Sequence, residues 1–366
     1  MVNQDNIKEE FNEEQQEVLQ SIRVSRIIIP VLIGLVAVFY MLWQQFDPEE
    51  FKRIHWTSHT LLWILAAVGI IIIRHLSYAA RLRILSEKAF SWRKCIELIF
   101  IWEFSSAVSP TSVGGSAVAF FVLAQEKLST AKTATIVLYT IVLDSIFFIG
   151  TLPVLFLIFG TQMIRPDIQE FSDLGPWGFY FLVAYGVMAS YASFFYFGLF
   201  VSPKQIKNLL VLFTKIRFLK RYRERAIALG DDMIIASGAL KKQKVPFHIR
   251  AFLATVSAWS CRFLLINCLI IAFIPSIPLE WWSQTELFAR LETMFVIIAF
   301  SPTPGGAGFV EVLFGGFLKD YVNSPTYATL ISTIWRLLTY YSYLFVGAII
   351  IPNWIRTILN HRRKRK

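Results

Sequence analysis

Ser301-Pro302-Thr303-Pro304-Gly305-Gly306-Ala307-Gly308 interrupts an apolar stretch that runs from Leu287 to Phe300 and resumes from Phe309 to Leu318. An earlier stretch, Cys95 to Val108 and then Ser116 to Ala124, is broken in the same manner by Ser109-Pro110-Thr111-Ser112-Val113-Gly114-Gly115. Neither break suits a helix interior, because proline lacks the amide proton and paired glycines cost backbone entropy. Arms of about 9 to 14 residues reach about 14 to 21 Å at about 1.5 Å per residue, short of about 30 Å of hydrocarbon. Both stretches are therefore expected to be re-entrant helical hairpins, spanning 95–124 and 287–318, that return to the side from which they enter.

The surroundings of the hairpins are just as apolar. Of 366 residues, 55% are hydrophobic and only 17% charged, with 33 Phe and 11 Trp. That balance excludes an ordinary soluble enzyme, a disordered chain and a coiled coil. A spanning helix needs roughly 20 mostly apolar residues. Ile27 to Trp43, Thr60 to Ala79, Thr133 to Phe159, Trp177 to Val201, Ile249 to Ile274 and Tyr327 to Ile351 meet that requirement, the third kinked by Pro153. The fold class expected is an all-α polytopic membrane protein, an inverted repeat of about six spanning helices plus two re-entrant hairpins.

Lysine and arginine concentrate on the cytoplasmic side of membrane proteins, which orients the chain. With both hairpins re-entrant, the inner segments hold Arg81, Arg83, Lys88, Arg93, Lys94, Lys127 and Lys132. They also hold twelve cations from Lys204 to Arg250 and the tail Arg356, Arg362, Arg363, Lys364, Arg365 and Lys366. The outer loops hold only Lys52, Arg53, Arg165 and Lys319. If each hairpin crossed once, the twelve-cation stretch would lie outside, against that rule. The organisation read this way is an acidic cytosolic tail (1–25), a first membrane repeat (26–160), an outer loop with the first helix of the second repeat (161–202), a basic amphipathic cytosolic segment (203–247), the rest of the second repeat (248–355) and a basic cytosolic tail (356–366). Both termini are expected in the cytoplasm and the protein in the plasma membrane. The net charge of +11 is then explained by topology and anionic inner-leaflet lipid, with no nucleic acid required.

The two breaks resemble one another in sequence, each is preceded and followed by spanning helices, and the topology inverts the second copy. Secondary transporters use such inverted halves to build a site near the bilayer midplane. Pro304-Gly305-Gly306-Ala307-Gly308 followed by Glu311 resembles the Pro-Gly-Gly-x-Gly-x-x-Glu signature of the lysylphosphatidylglycerol synthase transmembrane family, with a degenerate copy at Pro110, Gly114 and Gly115. The resemblance covers roughly residues 25 to 355. It implies a flippase-like membrane protein. In fused members, such as the multiple peptide resistance factors, the membrane part translocates an aminoacylated lipid made by a soluble transferase domain, which is not expected here after Asn360-His-Arg-Arg-Lys-Arg-Lys.

Irregular backbone at membrane depth survives where it lines a wet cavity or is buried in protein. Gly114, Gly115, Gly305, Gly306 and Gly308 let a ligand or a neighbouring helix approach the backbone closely, Pro110 and Pro304 stand in the same turns as candidate contacts, and half-helices starting near Ser116 and Phe309 aim their amide dipoles into that space. An anionic group such as a lipid phosphate is the natural guest; tight hairpin packing is the plainer use of the same glycines. Charges inside spans are a second signal, because they are costly at the bilayer centre. Asp144 lies 29 residues after Gly115 and Arg336 lies 30 after Gly306, so the repeat places them at equivalent depth. They would pair with one another, or Arg336 would hold a phosphate. Arg262 lies mid-helix, and Glu97, Glu103, Glu292 and Glu311 lie on the hairpin arms facing the presumed cavity. Glu97 and Glu292 could equally snorkel to an interface. Glu311, which matches the glutamate of the signature, is the candidate for proton coupling or head-group contact.

Ile206, Leu209, Leu210, Phe213 and Ile216 recur at helical spacing with cations between them, as in a helix lying on the inner leaflet. Cys95, Cys261 and Cys268 and the five histidines lack metal-ligand spacing, so no metal and no cofactor is expected. The function expected is a lipid translocase, not an enzyme, acting on a membrane phospholipid or a polyprenyl-phosphate lipid. Self-association into a homo-oligomer stays open. An ion-coupled transporter of a small anion would use the same architecture, and a lipid-phosphate-dependent glycosyltransferase would need Asp47 or Glu49 beside the phosphate. A lateral gap towards lipid separates the first two.

Overall fold

In the computed structural model of the protein, the described residues are 49, 52, 56–108, 112–126, 128–164, 168, 170, 173, 175–299, 314 and 316–363. All regular structure among them is helical, as apolar segments that must close their backbone hydrogen bonds internally require. The helices are α1 (Ser58–Leu85), α2 (Trp92–Val108), α3 (Ser112–Gln125), α4 (Thr130–Phe159), α5 (Gly175–Tyr196), α6 (Pro203–Phe213), α7 (Arg223–Leu240), α8 (Val245–Phe273), α9 (Trp281–Ala299), α10 (Pro325–Arg336) and α11 (Ser342–Arg363). Thr57, Ser129 and Ser324 cap α1, α4 and α10, each side chain accepting from an otherwise unpaired amide of the first turn. Gly160, at φ +62°, ends α4.

Ser58–Leu85, Ala131–Met163, Gly178–Val201, Val245–Phe273 and Pro325–Ile358 are long and apolar enough to cross a membrane. They correspond to five of the six expected spans; Ile27 to Trp43 lies outside the described residues. The most apolar window of α8 is 67% buried against 28% to 39% for the other four, so α8 is the central helix. Its main neighbour is α1, which it meets antiparallel: Trp56 packs edge-on against Phe273, and Ser77 bonds Ser257 at 2.8 Å.

The spans carry two irregularities. Helix α4 runs unbroken through Pro153. Proline removes the bond to the carbonyl four residues earlier, and that carbonyl, Ile149 O, accepts instead from the Tyr185 hydroxyl on α5 at 3.5 Å. The last span is not uniform, because a π-helical turn, Leu337–Tyr341, separates α10 from α11 just past Arg336.

The first predicted hairpin is α2 and α3. Lys94 at the start of α2 lies 2.8 Å from Glu126 just after α3, so the two ends meet. Helix α3 starts at Ser112, so Gly114, Gly115 and Ser116 lie in its first turns and the half-helix begins before Ser116. Glycine is tolerated there because the first-turn amides have no intrahelical partners to lose. In the second predicted hairpin, α9 is the first arm, and the turn and most of the second arm lie outside the described residues. After that arm, Asp320 returns to Arg290, and the Tyr321 hydroxyl donates to Ser283 O at 3.4 Å. The first pair of ends sits beside the finish of α1, where Glu87 meets Lys132. The second sits at the opposite end of the bundle, where Trp282 packs on Phe159 at the finish of α4.

The helix expected over Ile206 to Ile216 stops short of its last apolar position. Helix α6 ends at Phe213, and α7 folds back on it. Gly230 allows that approach, since a Cβ there would meet Lys207 at 2.5 Å. No residue of α6 is buried, and Leu212, Phe213, Ile216 and Phe218 remain exposed among lysines and arginines.

Candidate functional site

The apolar core is divided along the bundle. One cluster takes Ala67 of α1, Phe147 to Leu155 of α4, Phe181 and Ala184 of α5, Trp259 to Phe273 of α8, and Ile331 of α10. The other takes Tyr78 to Leu85 of α1, Ile136 to Leu143 of α4, Phe195 and Leu199 of α5, Ala251 and Ala258 of α8, and Tyr340. Between these clusters fall Arg74, Asp144 and Arg336, with Arg262 one turn past the boundary on α8. Charges at this depth are costly unless paired or wetted.

A cavity of about 490 Å³ opens at this level between α1, α2, α4, α5, α8 and α9. Its polar wall is formed by Arg81, Glu103, Asp144 and Arg262; its apolar wall includes Phe148 and Phe295. Val187 and Tyr191 of α5 line it while lying exposed on the outside of the bundle, so the mouth runs along α5.

Arg81 and Asp144 form an ion pair across the cavity wall, and the indole of Trp259 donates to the same Asp144 oxygen at 2.8 Å. The cation facing Asp144 is thus Arg81 and not Arg336, and Arg81 is a buried residue of α1, not an inner-loop cation. Positions 74, 78 and 81 share one helical face, and that face turns inward. Behind the wall, Arg74 is fully buried and donates to Glu103 at 2.6 Å and to the Tyr343 hydroxyl at 3.2 Å. His75 fixes this corner from the side: its Nε2 donates to Ile96 O at 3.2 Å, so its Nδ1 accepts from Tyr343. Gly347 lets α11 close on α2 here, because a Cβ would meet the Phe104 ring at 2.5 Å.

Arg262 is different. Its guanidinium lies over the rings of Trp259 and Phe295, at 5.0 and 4.9 Å, and among the described residues it makes no hydrogen bond or ion pair. Glu103, on which both guanidiniums act electrostatically, is hydrogen-bonded to Arg74. Three guanidiniums against two carboxylates leave this end of the cavity with one positive charge in excess, and it is the Arg262 fork whose donors are unspent.

The other predicted residues separate. Arg336 is buried and stacks at 5.4 Å on Tyr340, outside the cavity lining. Of the arm glutamates, Glu103 lines the cavity. Glu97 bonds Lys94 at 3.3 Å at the start of α2, as a snorkelling carboxylate does, whereas Glu292 is fully buried against Thr151 and reaches neither interface nor cavity lining. Pro110, Pro304, Gly305, Gly306, Gly308 and Glu311 lie outside the described residues. Arg74 was legible as a charge inside Thr60 to Ala79, by the same cost that marked Asp144, but its partner on another helix was not.

Comparison with known proteins agrees with the architecture. The profile described as the lysylphosphatidylglycerol synthase TM region matches residues 27–347. A protein from Archaeoglobus fulgidus named UPF0104 membrane protein is 24% identical over 295 residues, covering 75% of this chain and 81% of its own. No solved structure matches the chain.

Proposed function

Since the chain belongs to the lysylphosphatidylglycerol synthase transmembrane family, and is thus a multi-pass membrane protein, we propose that it translocates a phosphate-bearing membrane lipid, with Arg262 receiving the phosphate. The observation that carries this reading is a guanidinium with unspent donors, lining a cavity of about 490 Å³ at mid-bundle, where an unpaired charge is otherwise costly. A planar fork suits bidentate phosphate binding, and Trp259 and Phe295 hold it in place. The mouth along α5 favours a lipid over a small soluble anion, because a head group can slide in sideways while its chains stay in hydrocarbon.

The frame for this movement is an inverted repeat with two re-entrant hairpins. In support, the ends of the two predicted hairpins lie at opposite ends of the bundle, and the helices that precede them, α1 and α8, pack antiparallel. The protein performs no covalent chemistry in this reading, and phospholipid and polyprenyl-phosphate lipid are equally served by the phosphate contact. It sits in the plasma membrane with both termini cytoplasmic. The exposed apolar face of α6 and its cations rest on anionic inner-leaflet lipid, which attracts each Lys or Arg by about 1 kcal/mol.

Reconstitution tests this. Vesicles carrying a head-group-labelled phospholipid or a labelled polyprenyl phosphate should show transbilayer movement with the wild type and at least a tenfold loss with Arg262→Gln. Uptake of inorganic phosphate into the same vesicles without lipid movement would transfer the site to a small anion.

A further inference from the structure

Glu292 is 0% exposed, midway along α9, and among the described residues no cation pairs with it. One carboxyl oxygen meets the Thr151 hydroxyl, and the other, Oε2, has no partner among the described residues. An ionised carboxylate so placed would be an uncompensated buried charge, which proteins avoid by neutralising the group.

The donor inventory at Thr151 points the same way. A threonine hydroxyl has one proton to give. Thr151 Oγ1 lies 2.7 Å from the carbonyl of Phe147, one turn earlier on α4, and a carbonyl can only accept. With that proton given to Phe147, the contact to Glu292 is satisfied only if the carboxyl donates. We propose that Glu292 is a proton-carrying site of the transport cycle: a neutral acid that donates to Thr151 in this conformation and releases its proton in another.

Its position suits coupling. Phe295 lies one turn from Glu292 on α9, Phe148 one turn from Thr151 on α4, and the two rings stack at 5.6 Å and 8°. Both rings line the cavity, and Phe295 also lies under Arg262. The stacked rings stand between the acid and the substrate space, so a shift that parts them would wet Glu292 and move the Arg262 platform together. The acid faces no free cation among the described residues of the elements packed against α9. Helix α4 offers Asp144, held by Arg81, with Lys132 and Tyr139 nearer its start; α8 offers Arg262 beyond Phe295 and the thiols of Cys261 and Cys268, with His248, bonded to Tyr139, and Arg250 at its start. On α5, Tyr185 is turned to Ile149 O, Tyr191 lines the cavity, Tyr180 and Tyr196 lie exposed towards the helix ends, and the 3-10 turn Gly160–Met163 has no titratable group. On α9 itself Arg290 is engaged by Glu286 and Asp320.

This role rests on the transport reading, and the test separates the two. Infrared difference spectra of the full chain in lipid nanodiscs should show a protonated-carboxyl band, shifted in heavy water, that Glu292→Gln lacks. In vesicles, an imposed pH gradient should speed lipid movement by the wild type severalfold, whereas Glu292→Gln, with a Tm matching the wild type, should show no acceleration. An identical band in the variant, or wild-type movement indifferent to the gradient, would overturn the proposal. No lipid movement by the wild type under any gradient would overturn the transport reading, and the coupling role with it, even where the band is present.

Discussion

Helices α1 and α2 and helices α8 and α9 carry the same charges at the same places and use them differently. Arg74 lies 18 residues before the first residue of α2 and Arg262 lies 19 before that of α9; Glu103 and Glu292 each lie 11 residues after those starts. In the first pair, arginine and glutamate are hydrogen-bonded to each other at 2.6 Å and locked by Tyr343 and His75. In the second, the arginine faces the cavity over aromatic rings and the glutamate turns to Thr151. A closed ion pair contributes specificity to the fold and nothing to a ligand. The opened one leaves a cation for an anion and an acid for a proton.

The largest stability effect should fall on the closed pair. Glu103→Gln leaves Arg74 buried against a neutral amide and should cost about 3 to 5 kcal/mol, read as a lower Tm in detergent. Adding Arg74→Leu should restore most of the loss; a double mutant no more stable than the single would mean that the pair does not define this half. Next comes the pair on the cavity wall. Asp144 is 28% exposed and retains water, so Asp144→Asn should cost about 2 kcal/mol, less than a fully buried break. A smaller effect is expected from Glu87, which lies past the α1 finish and outside the spans, and its partner Lys132. The Lys132 ammonium hydrogen-bonded to Glu87 holds its carboxyl below the ordinary value. A depressed carboxylate stabilises above its unfolded pKa and loses that contribution as pH falls through the folded one. Acidification from neutral to below about 4 should therefore destabilise the wild type more than Glu87→Gln, by under about 1 kcal/mol because Glu87 is exposed, read as a larger fall in Tm. The least effect belongs to the open half: Arg262→Gln orphans no partner, so its Tm should match or exceed the wild type. A loss like that of Glu103→Gln would show that Arg262 is paired after all.

Much of this was readable from the sequence. Apolar length located the described spans, because crossing hydrocarbon requires it, and the first Ser-Pro-Thr break marked where α2 ends and α3 begins. The cost of mid-span charge picked out Asp144 and Arg262. It could not assign partners, since Arg81 lies 63 residues from Asp144 and reaches it only because α8 packs against both α1 and α4. The pseudo-symmetric offset that matched Asp144 to Arg336 reports equal depth, not contact. Hydropathy ends the span at Ala79 and leaves Arg81 in a loop, whereas α1 runs on to Leu85. Glu292 was placed on the hairpin arm, but its burial depends on Thr151 from a different helix.

Native mass spectrometry of gently extracted protein measures the proposed contact itself. The wild type and Lys207→Gln, changed only on α6 and away from the cavity, should retain a phosphate-bearing lipid that Arg262→Gln, equally folded, has lost. Equal lipid retention by Arg262→Gln and the wild type would contradict Arg262 as the phosphate site.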